Sequence, residues 1–287
     1  MRHYTTRRGF TLIELLVGIV IFAIVGALFT KLLTVQGKFY DRQGMGNAAR
    51  NVSRASLNRV VSDFRMIEAT GGVLAATSTS LTIRTPYAIG VVCGNLGVGT
   101  VISLLPVDST TYINADFYGY AWRNFTTGAY SYVENPAGRA DGFAAEIAIC
   151  TLKQITTVPN GKVVLVTPAL PALAGLGTPV FLYERVLYEF KASAAVPGKL
   201  GLYRTTVAAG GAVATEELVA PFANTAKWRF FTVNGGSVAQ DNPPATLSEM
   251  RGLELHLDGV SENIAPGQLE SESAPFITAV FFKNRTN

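Results

Sequence analysis

At 287 residues the chain could hold one large domain or two small ones, and its net charge of +4 with a pI near 9.1 invites a nucleic-acid reading. That reading weakens on inspection: Arg2, Arg7 and Arg8 all lie in the first nine residues, and without them 21 basic side chains face 20 acidic ones, with no basic run or basic–aromatic interleaving elsewhere. With two histidines in the whole chain, His3 and His256, a multi-histidine metal site is excluded and a Ser-His-Asp arrangement is improbable.

The chain opens on a basic leader, residues 1–9, that ends at Arg7-Arg8-Gly9. An apolar run from Phe10 to Thr30 follows, broken by one charge, Glu14. At 1.5 Å per residue this run is about as long as a bilayer core is thick, about 30 Å, and the leader charges keep that end cytoplasmic. It differs from a secretory signal because no small-residue cleavage site follows the run. A carboxylate at membrane depth costs about 2.5–3.5 kcal/mol even on the gentler insertion scale, so Glu14 marks function; the alternative is a plain anchor with a stray acid.

The helical pattern continues from Gln36 to Glu68. Apolar positions at Met45, Ala49, Val52, Ala55, Val60, Phe64 and Ile67 fall at spacings of three and four, and Leu57, Val60, Val61 and Phe64 form an amphipathic stripe. Arg59 and Asp63 are placed for an i, i+4 pair, Gly37, Gly44 and Gly46 predict a loosening in the middle, and Thr70-Gly71-Gly72 predicts the end. The first half of this helix is apolar all round and the second half is one-sided.

From residue 73 the period changes to short runs rich in Val, Ile, Thr, Tyr and Phe between glycines and prolines. Strands are expected at Ser80–Arg84, Gly90–Cys93, Val101–Leu105, Glu146–Leu152, Lys162–Thr167, Val180–Phe190, Leu200–Thr205, Glu217–Val219, Lys227–Val233, Gly252–Leu257 and Phe276–Phe282. Residues 112–142 read as a long loop, 167–178 as a loop dividing two lobes, 234–248 as an exposed loop and 258–272 as a solvated acidic stretch. The fold class is α+β: a long N-terminal helix, residues 10–70, packed on a large antiparallel β domain, residues 71–287.

Chemistry-bearing residues are few. Cys93 and Cys150 form an even pair that suits a disulfide in a domain held outside the cytoplasm; two buried free thiols are the alternative. His256 sits alone in a strand-like run, as a surface or satisfied residue. No nucleophile elbow or phosphate-cradling glycine loop is present, and Asp241-Asn242 and the acids of 258–272 lack the spacing of a calcium loop. No catalytic residue, metal or cofactor is therefore assigned. The aromatic group Phe117, Tyr118, Tyr120, Trp122, Phe125, Tyr130 and Tyr132 is read as core before contact surface.

The order Arg7-Arg8-Gly9-Phe10-Thr11-Leu12-Ile13-Glu14 resembles the class III signal of type IV prepilins and pseudopilins. The resemblance implies that a prepilin peptidase cuts between Gly9 and Phe10 and N-methylates Phe10, and that Glu14, fifth after the cut, pairs with the Phe10 amine of a neighbouring subunit. Ser62-Asp63-Phe64-Arg65-Met66, Val186-Leu187-Tyr188-Glu189-Phe190, Trp228-Arg229-Phe230-Phe231 and Val280-Phe281-Phe282-Lys283 follow in an order similar to PilW-type minor pilins and to J-type pseudopilins of type II secretion. Phe64 stands where that pattern carries leucine, and residues 85–180 match nothing. The implied partners are other minor pilins and the major pilin through the helix, the prepilin peptidase, the inner membrane before assembly and an adhesin at a fibre tip. A pilin-like DNA-uptake component is a further alternative, disfavoured because it would require an exposed basic patch and the charge without the leader is near neutral. The implied course runs from a single-pass inner-membrane protein with a periplasmic domain to a surface pilus or a periplasmic pseudopilus. A structural subunit rather than an enzyme is expected, and the resemblance implies that the chain is itself a peptidase substrate.

Overall fold

The computed structural model describes residues 9–68, 70–134, 139–142, 144–155, 161–208, 211 and 213–282. The leader residues 1–8 and Lys283-Asn284-Arg285 lie outside them.

One helix, α1 (Leu12–Arg65), runs unbroken for 54 residues, about 80 Å at 1.5 Å per residue. The glycines at 37, 44 and 46 do not interrupt it, and it ends at Arg65 with Met66 as its cap, short of the expected Thr70-Gly71-Gly72. Residues 9–44 are all exposed; from Met45 onward one face turns inward, with Ala49, Ser53, Ser56, Val60 and Phe64 buried. This stripe has the expected spacing but a different composition. Ala55 faces solvent, while two serines, Ser53 and Ser56, are buried.

The spine of the domain is a pair of long antiparallel strands, β2 (Ser80–Asn95) and β8 (Pro179–Ala192), paired from Ser80 opposite Glu189 to Val91 opposite Pro179 with a shift of register between Pro86 and Ala88. Each spine strand changes partner along its outer edge. The outer edge of β2 takes β1 (Val73–Ala76) at its start and β3 (Thr100–Leu104) at its end. That of β8 takes β4 (Gly119–Arg123) and then β9 (Leu200–Val207). On β4 lies β5 (Tyr130–Glu134), and beyond β3 lie β7 (Val163–Val166) and β6 (Arg139–Asp141). Beyond β9 the sheet continues through β10 (Val213–Phe222), β13 (Gly259–Ile264) and β14 (Ser271–Ala274), giving twelve strands in all. A three-stranded sheet, β11 (Lys227–Thr232), β12 (Met250–His256) and β15 (Ile277–Phe281), closes over the helix end.

Two cores result from that change of partners. At the β1/β9 end, Phe64 of α1 meets Tyr188 edge-on at 5.2 Å and Trp228 at 5.6 Å, with Leu81, Ile83, Phe230 and Leu253 around them. At the β3/β4 end, Ile102, Tyr120, Trp122, Val164 and Leu182 form the second. The loop 167–178 packs onto that second core through Leu170 and Ala174, and the spine strands run through both.

Several sequence expectations are corrected. Residues 112–142 are not a long loop: they hold the end of α2 (Asp108–Asn114), β4, β5 and β6. Their aromatics divide, with Phe117, Tyr120 and Trp122 in the core and Phe125 exposed. Residues 146–152 are not a strand but part of α3 (Ala144–Leu152), where Ala-Ala-Glu-Ile-Ala-Ile has no strand alternation and good helix formers dominate. The 258–272 stretch is not all solvated loop; β13 and β14 occupy most of it, and Glu272 pairs with Arg42. Asp63 does not pair with Arg59: it accepts from the Tyr188 hydroxyl at 2.5 Å and faces Arg204 at 3.8 Å, because residue 63 turns toward β8 and β9.

His256 Nε2 lies 2.7 Å from Glu254 Oε1, which Arg229 also reaches at 2.7 Å. Burial pushes the Glu254 carboxyl up, but the hydrogen bonds of His256 and Arg229 outweigh it and hold the group below its ordinary value. The ionised form is therefore favoured on folding. Its contribution is complete above the ordinary carboxylate value, about 4.3, and is lost as pH falls through the lowered folded value. Glu254→Gln should flatten the acid limb of a stability–pH curve below about pH 4.5 and leave the neutral region less affected in slope, as read by urea denaturation at stepped pH.

Candidate functional site

The N-terminal end of α1 is the candidate site. Gly9 and Phe10 precede the helix in non-helical backbone, Phe10 is 85% exposed, and a side chain built at Gly9 would meet nothing within 4 Å. The peptide between them is thus open to a protein that must approach it. Thr11 caps the helix in an extended conformation. Its hydroxyl accepts from the Glu14 backbone N–H at 3.3 Å, and its own N–H and hydroxyl both donate to Glu14 Oε2 at 2.9 Å. This is a capping box, which satisfies helix donors that otherwise have no partner.

The box answers a problem set by the sequence. A carboxylate in an apolar run must find donors. Two come from Thr11, and both engage Oε2, so Oε1 accepts no hydrogen bond among the described residues. One oxygen of Glu14 is therefore left for a donor from outside this helix. A cut between Gly9 and Phe10 would place a new amine next to Thr11 without removing any of the three capping bonds.

Beyond the box, Leu12, Ile13, Leu15 and Leu16 and the apolar residues to Phe29 are all more than half exposed. The helix is long and apolar enough to cross a membrane, which is compatible with a membrane anchor. Its few hydroxyls need no outside partner: Thr30 donates to the Gly26 carbonyl and Thr34 to that of Thr30, each at 2.9 Å. Lower down, Arg42 Nε reaches Glu272 Oε1 of β14 at 2.6 Å, the first charged contact between helix and domain.

The junction with the domain is tight and polar. Ser53 donates to the Leu257 carbonyl at 2.7 Å and to that of Ala274 at 3.2 Å, and accepts from the Gly259 N–H at 3.0 Å. A side chain at Gly259 would sit 2.3 Å from the Ala49 carbonyl oxygen. Only glycine lets β13 approach so closely. Hydrophobic spacing gave no signal for this junction; serine at a helix position facing buried strand carbonyls is the cue that would have found it.

Gly9, Phe10 and Glu14 thus share one end of α1. Cys93 and Cys150 lie elsewhere, joined by a disulfide that staples α3 onto β2 beside Val101 and Val163. The bridge closes a loop of 57 residues, so on the chain-entropy model it stabilises by about 4 kcal/mol. Cys150→Ser should therefore lower unfolding free energy by about 2–4 kcal/mol in denaturant titration of the oxidised protein, with a reductant producing a like loss in the parent. Among the described residues, no group of three or more His, Cys, Asp or Glu could hold a metal ion.

Residues 5–30 match the family model of the prokaryotic N-terminal methylation motif. No curated protein and no solved structure matches the chain. The matched residues coincide with the open Gly9–Phe10 peptide, the capping box and the uncovered apolar helix, and behind them stands an α+β domain consistent with a pilin-like fold: the chain carries the N-terminal signal of a type IV prepilin-like protein.

Proposed function

We propose that this chain is a minor, tip-proximal pilin, a structural subunit that primes and assembles a type IV pilus. One observation carries the reading: α1 is exposed as far as residue 44, where the Arg42–Glu272 ion pair reaches the domain, and packs on its own domain from Met45 on. An apolar helix that finds no cover in its own chain needs lipid or other helices. In this account it lies in the inner membrane until a prepilin peptidase cuts at Gly9–Phe10 and methylates Phe10. It then exchanges lipid for the helices of other minor pilins and the major pilin. Glu14 Oε1 receives the Phe10 amine of the adjacent subunit and sets the register. The twelve-stranded domain, too broad for a closely packed shaft, suits a fibre end and an adhesin partner there.

Mass spectrometry of the N-terminal peptide in sheared surface fibres and in membranes tests this. A methylated Phe10 terminus in the fibres is the expected result. The same terminus confined to membrane and periplasm would instead identify a pseudopilin of a type II secretion system. An intact Met1 leader in both fractions would overturn the prepilin reading.

A further inference from the structure

The hairpin of β13 and β14 runs along α1 toward its apolar half. Three contacts fix its course. Ser53 bonds the Leu257 and Ala274 carbonyls and the Gly259 N–H at the open end of the hairpin. Further down, Arg42 pairs with Glu272 at 2.6 Å. Lowest of all, a side chain at Gly267 would stand 3.9 Å from Lys38 Nζ. Lys38, Arg42, Met45, Ala49 and Ser53 follow one another at intervals of three and four, so they share one face of the helix. From Ser53 to Lys38 that face descends about 22 Å, and the chain from Gly259 to Ala265 covers about 20 Å as a strand. The hairpin therefore lies extended along the helix with its tip at the lower end.

The tip is a closed turn. The Gln268 N–H donates to the Ala265 carbonyl at 2.9 Å, and Pro266 and a left-handed Gly267 stand between them, as a type II turn requires. Next comes Leu269, which at 95% is the most exposed large apolar side chain among the described residues. A lone exposed leucine ordinarily needs no explanation. This one is set apart by its height on the helix. The Lys38 backbone stands about 10 Å beyond Lys31, where the apolar run ends. Long helical side chains lean toward the helix N-terminus, which brings the Lys38 ammonium, and Gly267 with it, about one turn nearer. The headgroup layer over a bilayer core is about 5–7 Å thick, so tip and headgroups fall at one level. Phe39 and Tyr40 are exposed at that level too, where aromatic side chains gather at membrane surfaces. Charge adds no attraction to acidic lipid: Glu262, Glu270 and Glu272 of the hairpin offset Lys31, Lys38 and Arg42 of the helix, and Asp41 is a further acid.

We propose that the β13–β14 hairpin is a foot that rests on the bilayer, with Leu269 inserted where headgroups meet acyl chains. The foot rests on the reading of α1 as a membrane anchor. One helix through a bilayer leaves its domain free to turn about the helix axis. A second contact fixes which way the domain faces while the chain is in the membrane.

The test uses the full chain, one copy per lipid nanodisc, with nitroxide labels whose depth is read by EPR power saturation against oxygen and a water-soluble nickel chelate. Cys93 and Cys150 are bonded to each other, so only an introduced cysteine takes the label. Gln268→Cys labels the tip and keeps Leu269 native. The expected depth is about 15–22 Å from the bilayer midplane, the same in phosphatidylcholine discs with and without phosphatidylglycerol. Leu269→Asp in that background, a change at a fully exposed site, should return the label to water. Val98→Cys, in the turn between β2 and β3 at the second core's end of the sheet, should read as water throughout. Phe22→Cys reports the anchor and should lie in the bilayer core. A tip label in water with the Phe22→Cys label in the core would overturn the foot and leave the anchor standing; both labels in water would overturn both. A tip depth unmoved by Leu269→Asp, or reached only with phosphatidylglycerol, would overturn the apolar contact. A tip shielded only when several copies share a disc would assign this surface to a second copy of the chain and overturn the proposal.

Discussion

Glu14→Gln is expected to leave leader cleavage and membrane insertion intact while cutting incorporation of the chain into fibres at least about tenfold. The prediction rests on the two oxygens having different tasks. Oε2 serves the helix itself, accepting both Thr11 bonds at 2.9 Å, and a glutamine carbonyl can still accept them. Oε1 accepts nothing within the described chain, and in the proposed fibre it would meet a charged amine. Glutamine removes the charge and so strands that amine in an apolar setting. Breaking one side of a buried pair costs about 3–5 kcal/mol, and each 1.4 kcal/mol is a factor of about ten. Glu14→Ala removes the cap as well, and loss of a cap costs about 0.5–2 kcal/mol more at the helix start. Quantitative blotting of fibre and membrane fractions separates the two roles. If Glu14→Gln entered fibres as well as the parent, Glu14 would be a helix cap only.

Gly259→Val should be the most destabilising single change at the junction of helix and domain, by about 3 kcal/mol in urea denaturation of the full chain in nanodiscs. A Cβ there would stand 2.3 Å from the Ala49 carbonyl oxygen and 2.6 Å from Ser53 Oγ. The first is helix backbone, which cannot rotate away. The second bonds two strand carbonyls and the Gly259 N–H, so moving it removes those bonds, although the Gly259 N–H keeps the Leu257 carbonyl at 3.0 Å. β13 would have to lift from α1 and carry β14 and the Arg42–Glu272 pair with it. Ser53→Ala should cost less, about 0.5–1.5 kcal/mol, because it removes the same bonds without a steric clash. Ala49→Gly should not rescue Gly259→Val, since the clash is with a main-chain oxygen. A Gly259→Val protein as stable as the parent would mean that β13 does not sit against α1 in solution.

Much of this protein was legible in its residues one at a time. The Arg-Arg-Gly-Phe order, an unbroken apolar run with one acid, and the change from a period near 3.6 to a period near 2 after Gly72 are local signals, and they determined the helix, the prepilin-like signal and the α+β class. Strand cores such as Val163–Val166 and Lys227–Thr232 were also local, since β-branched and aromatic residues alternate there between turn residues. The missed elements share a physical cause. β4 and β5 carry Gly119, Ala121 and Ser131 between their aromatics, which breaks the usual run of β-branched residues, and β14 reads Ser-Glu-Ser-Ala with no apolar face of its own. They are strands because an exposed edge of β8 or β13 offers them hydrogen bonds, and no residue within them announces that edge. The α3 segment was misread on its apolar content although its residues favour helix locally; its place over β2 and β3, held through Cys150, is what only the tertiary structure supplied.

Tertiary structure also decided where the helix is gripped. Sequence spacing found the stripe, but the closest contact runs through Ala49 and Ser53 rather than through the most apolar side chains, because the Ser53 hydroxyl can answer strand carbonyls that a methyl cannot. Asp63 likewise has an arginine four residues back, yet it bonds to Tyr188 across 125 positions, since the β8–β9 surface brings it a hydroxyl in a half-buried setting where an exposed helical pair contributes little. A cavity lined by Arg84, Tyr130 and Phe181 belongs to the same class: its wall draws on residues 65 to 183 from five elements, and no window of sequence contains it. The signal at the N-terminus depends on residues that act in their order along the chain. The domain depends on edges and faces that exist only after distant segments have met, and there the chain's local chemistry constrains the outcome without choosing it.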